Sequence, residues 1–182
     1  MTVKPKKIPP TWGDVKKRLA EFDRAGLLGL VQDLYGFSKD NQAFLHARFG
    51  LSDDVLAPYK AIIDRWLWPD LAKNQSASVA TAKKAIAAYK KAAGQPKGLA
   101  ELMVFYCERS VGFSREYGLQ GTGYCDALVR MFEQALKMSA TLPASQGDAM
   151  LARLDAVCDV SHRFGYGVGD DMDHLLARYR QE

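Results

Sequence analysis

Apolar residues recur every three or four positions through most of this chain, and they never alternate with polar ones long enough to make a convincing strand. Composition points the same way. There are 24 Ala and 20 Leu against 11 Val, 4 Ile and 5 Thr, and helices favour the first set while strands favour the second. No Asn-Gly or Asp-Gly hairpin turn is present. The expected fold is therefore all-α, with eight or nine helices paired as antiparallel hairpins. These would stack as a HEAT-like or irregular helical solenoid or gather into a compact orthogonal bundle. With 182 residues, 48% of them hydrophobic, the chain is expected to form a flexible basic leader over 1–10 and one helical domain over 11–182.

Local signals place the helices. Thr11 followed by Asp14 makes a capping-box-like start, with Trp12, Val15, Leu19 and Phe22 on one face. A second helix over Arg24–Phe37 carries Leu27, Leu28, Val31, Leu34 and Tyr35. Ser38 opens a third, closed by Gly50 in a left-handed conformation. Ser52 is expected to cap a fourth, with Asp53 and Asp54 complementing its dipole. Pro58 would kink that helix or move its regular part to Ala57 onward, and Pro69 stops it. Residues 71–77 read as a loop. Ser78 then starts a fifth helix, ended by Gly94 and Pro96, and four more follow over about 97–117, 122–140, 144–164 and the last dozen residues.

A weak internal echo appears at a shift of 47 residues. It lays Ser114 over Ser161, Gly118 over Gly165, Leu128 over Leu175 and Phe132 over Tyr179.

The clearest charge feature is Lys83, Lys84, Lys90 and Lys91 on the fifth helix. At about 100° per residue these fall opposite Ala82, Ile86 and Tyr89. They form a candidate surface for anions or a partner, although a solvated helix face explains them as simply. The chain as a whole carries a net +4. Residues 1–100 hold 17 Lys+Arg against 9 Asp+Glu, and residues 101–182 hold 8 against 12, so the charge is dipolar along the sequence.

Metal-ligating residue types are sparse. Asp171 with His174 at i, i+3 puts a carboxylate and an imidazole on one helical face, and His162 comes close if the last two helices pack together. No H-E-x-x-H and no second E-x-x-H accompanies them. Asp170, Asp171 and Asp173 read equally well as charges complementing a helix N-terminus. The glycines of 118–123 and 165–169 follow helices, unlike a dinucleotide fingerprint, which must follow a strand. Cys107, Cys125 and Cys158 include no C-x-x-C pair, and the expectation is three reduced, buried thiols in a cytoplasmic protein. No catalytic residue and no cofactor-binding residue is assigned, and no cofactor is expected. The basic N-terminus runs into Pro9 and Pro10 where a signal peptide would need an apolar stretch. The longest apolar run falls far short of the roughly 20 residues that cross a bilayer.

The segment Val31-Gln-Asp-Leu-Tyr35-Gly-Phe-Ser38-Lys-Asp-Asn41-Gln-Ala-Phe44-Leu45-His-Ala-Arg48-Phe49 resembles the leading motif of an uncharacterised family of small bacterial all-helical proteins, L-Y-x-x-S-K-x-N-x-x-F-L-x-x-R-F. Further similarity lies at Pro58-Tyr-Lys60, Trp68-Pro-Asp70 and Phe164–Asp171. The resemblance implies a cytoplasmic bacterial helical domain and carries over no catalytic residues. Tyr35, Phe44, Leu45 and Phe49 suit the core of a helical hairpin, Ser38 a cap, and Asn41 a bond to neighbouring backbone. His46 and Arg48 fall at the edge of that stripe. The expected function is a non-enzymatic interaction or scaffold protein with a protein partner. Weak nucleic-acid or anionic-surface binding through the lysine face is the alternative, and a metal-dependent enzyme using Asp171 and His174 comes last.

Overall fold

In a computed structural model, residues 9–118 and 121–180 are described. Most of the expected leader, residues 119–120 among the glycines of 118–123, and residues 181–182 lie outside them. The described residues form helices and no strand: α1 (Trp12–Leu19), α2 (Arg24–Phe37), α3 (Lys39–Phe49), α4 (Ala57–Leu67), α5 (Val79–Ala92), α6 (Pro96–Tyr117), α7 (Thr122–Ser139), α8 (Ala144–Ser161) and α9 (Val168–Tyr179). One 3₁₀ turn at Leu71–Lys73 interrupts the α4–α5 connection. The protein is all-α, and among the described residues no helix is long and apolar enough to cross a membrane.

Helix ends follow the capping chemistry. The Thr11 N–H and hydroxyl both donate to Asp14 Oδ2 at 2.8 Å. Asp23 Oδ1 accepts from the Gly26 N–H at 2.7 Å, and Ser78 Oγ accepts from the Thr81 N–H. Gly50 (φ +63°) and Gly94 (φ +64°) take the left-handed conformation that closes α3 and α5. The Leu51 N–H reaches back to the His46 carbonyl at 3.0 Å, completing a Schellman-type end. The cap of α4 differs from the sequence expectation. Asp54, not Ser52, supplies it, with Oδ1 accepting from the Leu56 and Ala57 N–H groups at 3.0 Å each. Pro58 sits at the second helical position, where a missing donor costs nothing, so regular helix begins only at Ala57.

The chain divides into two compact units, one ending at Leu45 and the other beginning at His46, with the division inside α3. The second unit holds the core. Its central element is α6, which packs against α4, α5, α7 and α8, while α9 packs on α7 and α8. Ile63, Leu67, Tyr89, Leu102, Tyr106, Leu128, Phe132, Leu136, Leu154 and Met172 are fully enclosed there. Gly112 lets Trp68 lie directly against α6, because a Cβ at that position would overlap the indole ring. The Arg109 guanidinium stacks over the Trp68 ring, 4.1 Å from its centroid, and pairs with Asp64 at 2.5 Å.

The first unit is different. Neither α1 nor α2 contains a buried residue. Apart from half-buried Leu19, the expected inward faces of both helices are instead on the surface, as is the motif residue Tyr35; Phe49, which belongs to the second unit, is exposed as well. The physical reason is visible in α2: apolar side chains occupy about half its circumference, and the neighbouring helices of this unit are too few to cover them.

Candidate functional site

The most conspicuous surface feature is the apolar face of α2. Leu27, Leu28, Val31, Leu34 and Phe37 are all exposed, Leu28 to 61% and Phe37 to 85%. A groove of about 250 Å³ runs beside them, lined by Val31, Leu34, Asn41, Phe44 and Leu45. Contiguous exposed apolar surface beyond a few hundred Å² is uncommon on a chain that acts alone.

Leu34, Asn41, Phe44 and Leu45 of the motif line that groove. The Asn41 side-chain amide donates to the Leu34 carbonyl at 2.5 Å, tying the start of α3 to the last turn of α2. Ser38 Oγ accepts from the Asn41 N–H at 3.1 Å. Phe44 is half-buried on the groove wall. Arg48 lies on the second unit, where its guanidinium donates to the Lys91 carbonyl. That carbonyl belongs to the last turn of α5, whose unpaired acceptors and negative dipole end favour a cation.

Lys83, Lys84, Lys90 and Lys91 are all exposed on α5, as the helical spacing predicts. None has an ion-pair partner among the described residues. Lys83 shares a surface cleft of about 280 Å³ with Arg130 and Gln134 of α7. The other lysines extend the positive face along the helix.

The histidines and aspartates near the C-terminus are regrouped relative to the sequence pattern. Asp171 and His174 face α7, lining a shallow cleft with Arg130, Glu133 and Arg178. His162 lies elsewhere, with Asp173 and Cys158. Its Nε2 stands 3.1 Å from Asp173 Oδ2, and Cys158 Sγ donates to Asp173 Oδ1 at 3.2 Å. The ligating atoms of these three residues all lie within 4.8 Å of one another. Cys158 is on the last turn of α8, His162 follows directly after that helix, and Asp173 crosses from α9. His162 is fixed by close packing, since a Cβ on Gly169 would come within 2.6 Å of its Nδ1. Burial pushes the Cys158 thiol up to about 12, helped by its bond to the Asp173 carboxylate. Such a thiol is no free nucleophile. Burial likewise raises the Cys107 thiol, and all three cysteines are unbridged and buried.

A charge network that the sequence reading did not single out joins three helices. Arg153 of α8 binds Glu108 and Glu101 of α6, and Lys60 of α4 binds Glu101 at 2.6 Å. The two glutamates stand seven residues apart on one face of α6. That i, i+7 spacing was the available signal. Arg153, Glu108 and Arg115 also edge a cleft of about 270 Å³ between α6 and α8, floored by Val111, Val157 and Val160.

The fold and these surfaces define an all-α protein with an uncovered apolar hairpin. Compared with known proteins, the chain matches no family model, no curated protein and no solved structure.

Proposed function

We propose that the protein is a non-enzymatic helical interaction module whose first unit receives an amphipathic helix of a partner protein. The observation that carries this reading is the exposed face Leu27, Leu28, Val31, Leu34 and Phe37 beside an apolar groove. Within α2 the charged residues are Arg24 and Asp33 alone, so the surface offers apolar contact rather than phosphate or carboxylate recognition. A groove between two helices takes the apolar stripe of a third, read as anchors at i, i+3 or i+4 and i+7. A photo-crosslinking amino acid at position 28 or 37 of the full chain, activated in cells, tests this directly. Adducts to an apolar helical segment of another protein are expected there and not from position 84 on α5. Adducts only to further copies of this chain would replace the reading with self-association, and no protein adduct would end it.

The lysine face supports a second reading, binding of nucleic acid or another polyanion, because its four cations are exposed and unpaired among the described residues. Binding to duplex and single-stranded oligonucleotides would then fall steeply with salt and weaken when the four lysines become Gln. Binding unchanged by either treatment rejects it.

A further inference from the structure

We propose that Cys158, His162 and Asp173 bind a zinc-type divalent cation, with the fourth tetrahedral position left to water. The donor set is mixed: one sulfur, one imidazole nitrogen and one carboxylate. Sulfur with imidazole suits zinc and related transition metals, while magnesium and calcium prefer all-oxygen sets.

The geometry is close to what such an ion needs. Zinc–ligand bonds of about 2.0–2.3 Å imply donors roughly 3.4–3.6 Å apart in a tetrahedron. Here Sγ to Oδ1 is 3.2 Å and Nε2 to Oδ2 is 3.1 Å, and one ligand atom from each of the three residues lies within 4.8 Å of the others, so side-chain adjustment about Asp173 brings the set around one ion. Burial is graded in the useful direction. Cys158 is enclosed at 2% exposure, whereas the His162 and Asp173 side chains are 43% and 58% exposed. Solvent therefore reaches the position where the remaining ligand belongs.

Two further features favour a cation at this point. His162 Nδ1 lies toward Gly169, where an added Cβ would come within 2.6 Å of it, and Nε2 is the nitrogen that already faces Asp173. The site also caps the C-terminus of α8, the negative end of its dipole. On binding, the thiol proton leaves to bulk water and the thiolate becomes a ligand, and the imidazole ligates as the neutral Nδ1–H tautomer, any proton on Nε2 also passing to water. The ion then joins α8 to α9 in place of the Cys158–Asp173 hydrogen bond and the His162–Asp173 pair.

Tag-free full-length protein, stripped with a chelator and titrated with Co²⁺, gives the decisive readout. The expected result is one Co²⁺ per chain, thiolate-to-cobalt charge-transfer absorption with tetrahedral d–d bands, and displacement by one equivalent of Zn²⁺. Cys158→Ser should abolish the charge-transfer band. His162→Gln and Asp173→Asn, at partly exposed positions that leave helix content intact by circular dichroism, should each weaken binding at least ~10-fold. Absence of the charge-transfer band in the native chain would overturn the proposal. So would its persistence in Cys158→Ser, or equal affinity in the two exposed-ligand variants. Any of those results makes the cluster a hydrogen-bonded clasp between two helices.

Discussion

Arg153 grips Glu108 with two parallel hydrogen bonds, Nε to Oε1 at 2.7 Å and Nη2 to Oε2 at 2.8 Å. The same guanidinium reaches Glu101 with Nη1 at 2.5 Å. One cation thus answers two carboxylates on α6 from α8, and only a planar fork can do so. Arg153→Met leaves both carboxylates partly enclosed without it. Removing one partner of a buried pair costs about 3–5 kcal/mol, and partial solvent access here reduces that to roughly 2 kcal/mol. Arg153→Lys keeps the charge and loses the fork, so its expected cost is smaller, about 1 kcal/mol. Urea unfolding followed by circular dichroism separates the two; equal midpoints for native and Arg153→Met would show that the network contributes nothing.

The same network makes stability depend on acid. Burial pushes the Glu101 carboxyl up, but hydrogen bonds and charge from Arg153 and Lys60 outweigh it and hold the group below the usual carboxylate range. A group whose pKa is lower folded than unfolded stabilises the protein above its unfolded value, near 4.3, and loses that contribution as pH falls through the folded one. Tm is therefore expected to drop on acidification below about pH 5. In Glu101→Gln the drop should be shallower, from a lower starting Tm. It will not vanish, since Asp14, Asp70 and Glu133 are held low by their own hydrogen-bonding partners. Parallel curves for the two proteins would contradict the assignment.

Local signals accounted for helix positions, and nonlocal geometry accounted for what they missed. The α2 range, the Thr11–Asp14 start, the Ser78 cap and the left-handed Gly50 all depend on residues within one or two turns, which a sequence displays openly. The 47-residue echo likewise lays the α6–α7 hairpin over the α8–α9 hairpin. Burial is another matter: periodicity shows which residues share a face, not whether anything covers it, and so the apolar sides of α1 and α2 were expected inside. No composition shift marks a boundary within 11–182, and the contacts group into two compact units that divide within α3. The metal-ligating residues show the same limit. His162 was singled out with Asp171 and His174, but helix rotation turns Asp173 toward it and the other two toward α7. Cys158 reads as core because it is core, and its bond to Asp173 joins residues 15 positions apart, which periodicity does not register.

Glycines on two helices should respond to alanine in opposite directions. A Cβ at Gly112 overlaps Trp68, and overpacking costs about 1–3 kcal/mol against the ~1 kcal/mol gained by removing a mid-helix glycine. Gly112→Ala should therefore destabilise on balance and alter the near-ultraviolet tryptophan signal, as the ring moves from beneath Arg109. At Gly29 and Gly36 of α2 an added Cβ meets nothing within 4 Å. Gly29→Ala and Gly36→Ala should stabilise that helix by up to ~1 kcal/mol. Thermal melts of the three variants decide, and a stabilised Gly112→Ala would mean the indole is free to shift.

Asn41 holds the hairpin that forms the apolar groove, and its replacement separates the side-chain bond from the helix dipole. Asn41→Ala removes the bond to the Leu34 carbonyl and should lower the local stability of the α2–α3 junction by about 1 kcal/mol. Asn41→Asp also loses the donor and sets a carboxylate against that carbonyl, yet it places a negative charge in the first turn of α3. The dipole returns only about 0.3–1 kcal/mol at an exposed site. Repulsion from the facing carbonyl offsets that, so the aspartate variant is expected to be no better than alanine. Hydrogen exchange at the amides of residues 38–42 measures the opening free energy directly. Protection in Asn41→Asp restored to the native level would show that the side chain acts through helix charge alone, and that the Leu34 carbonyl does not anchor the groove.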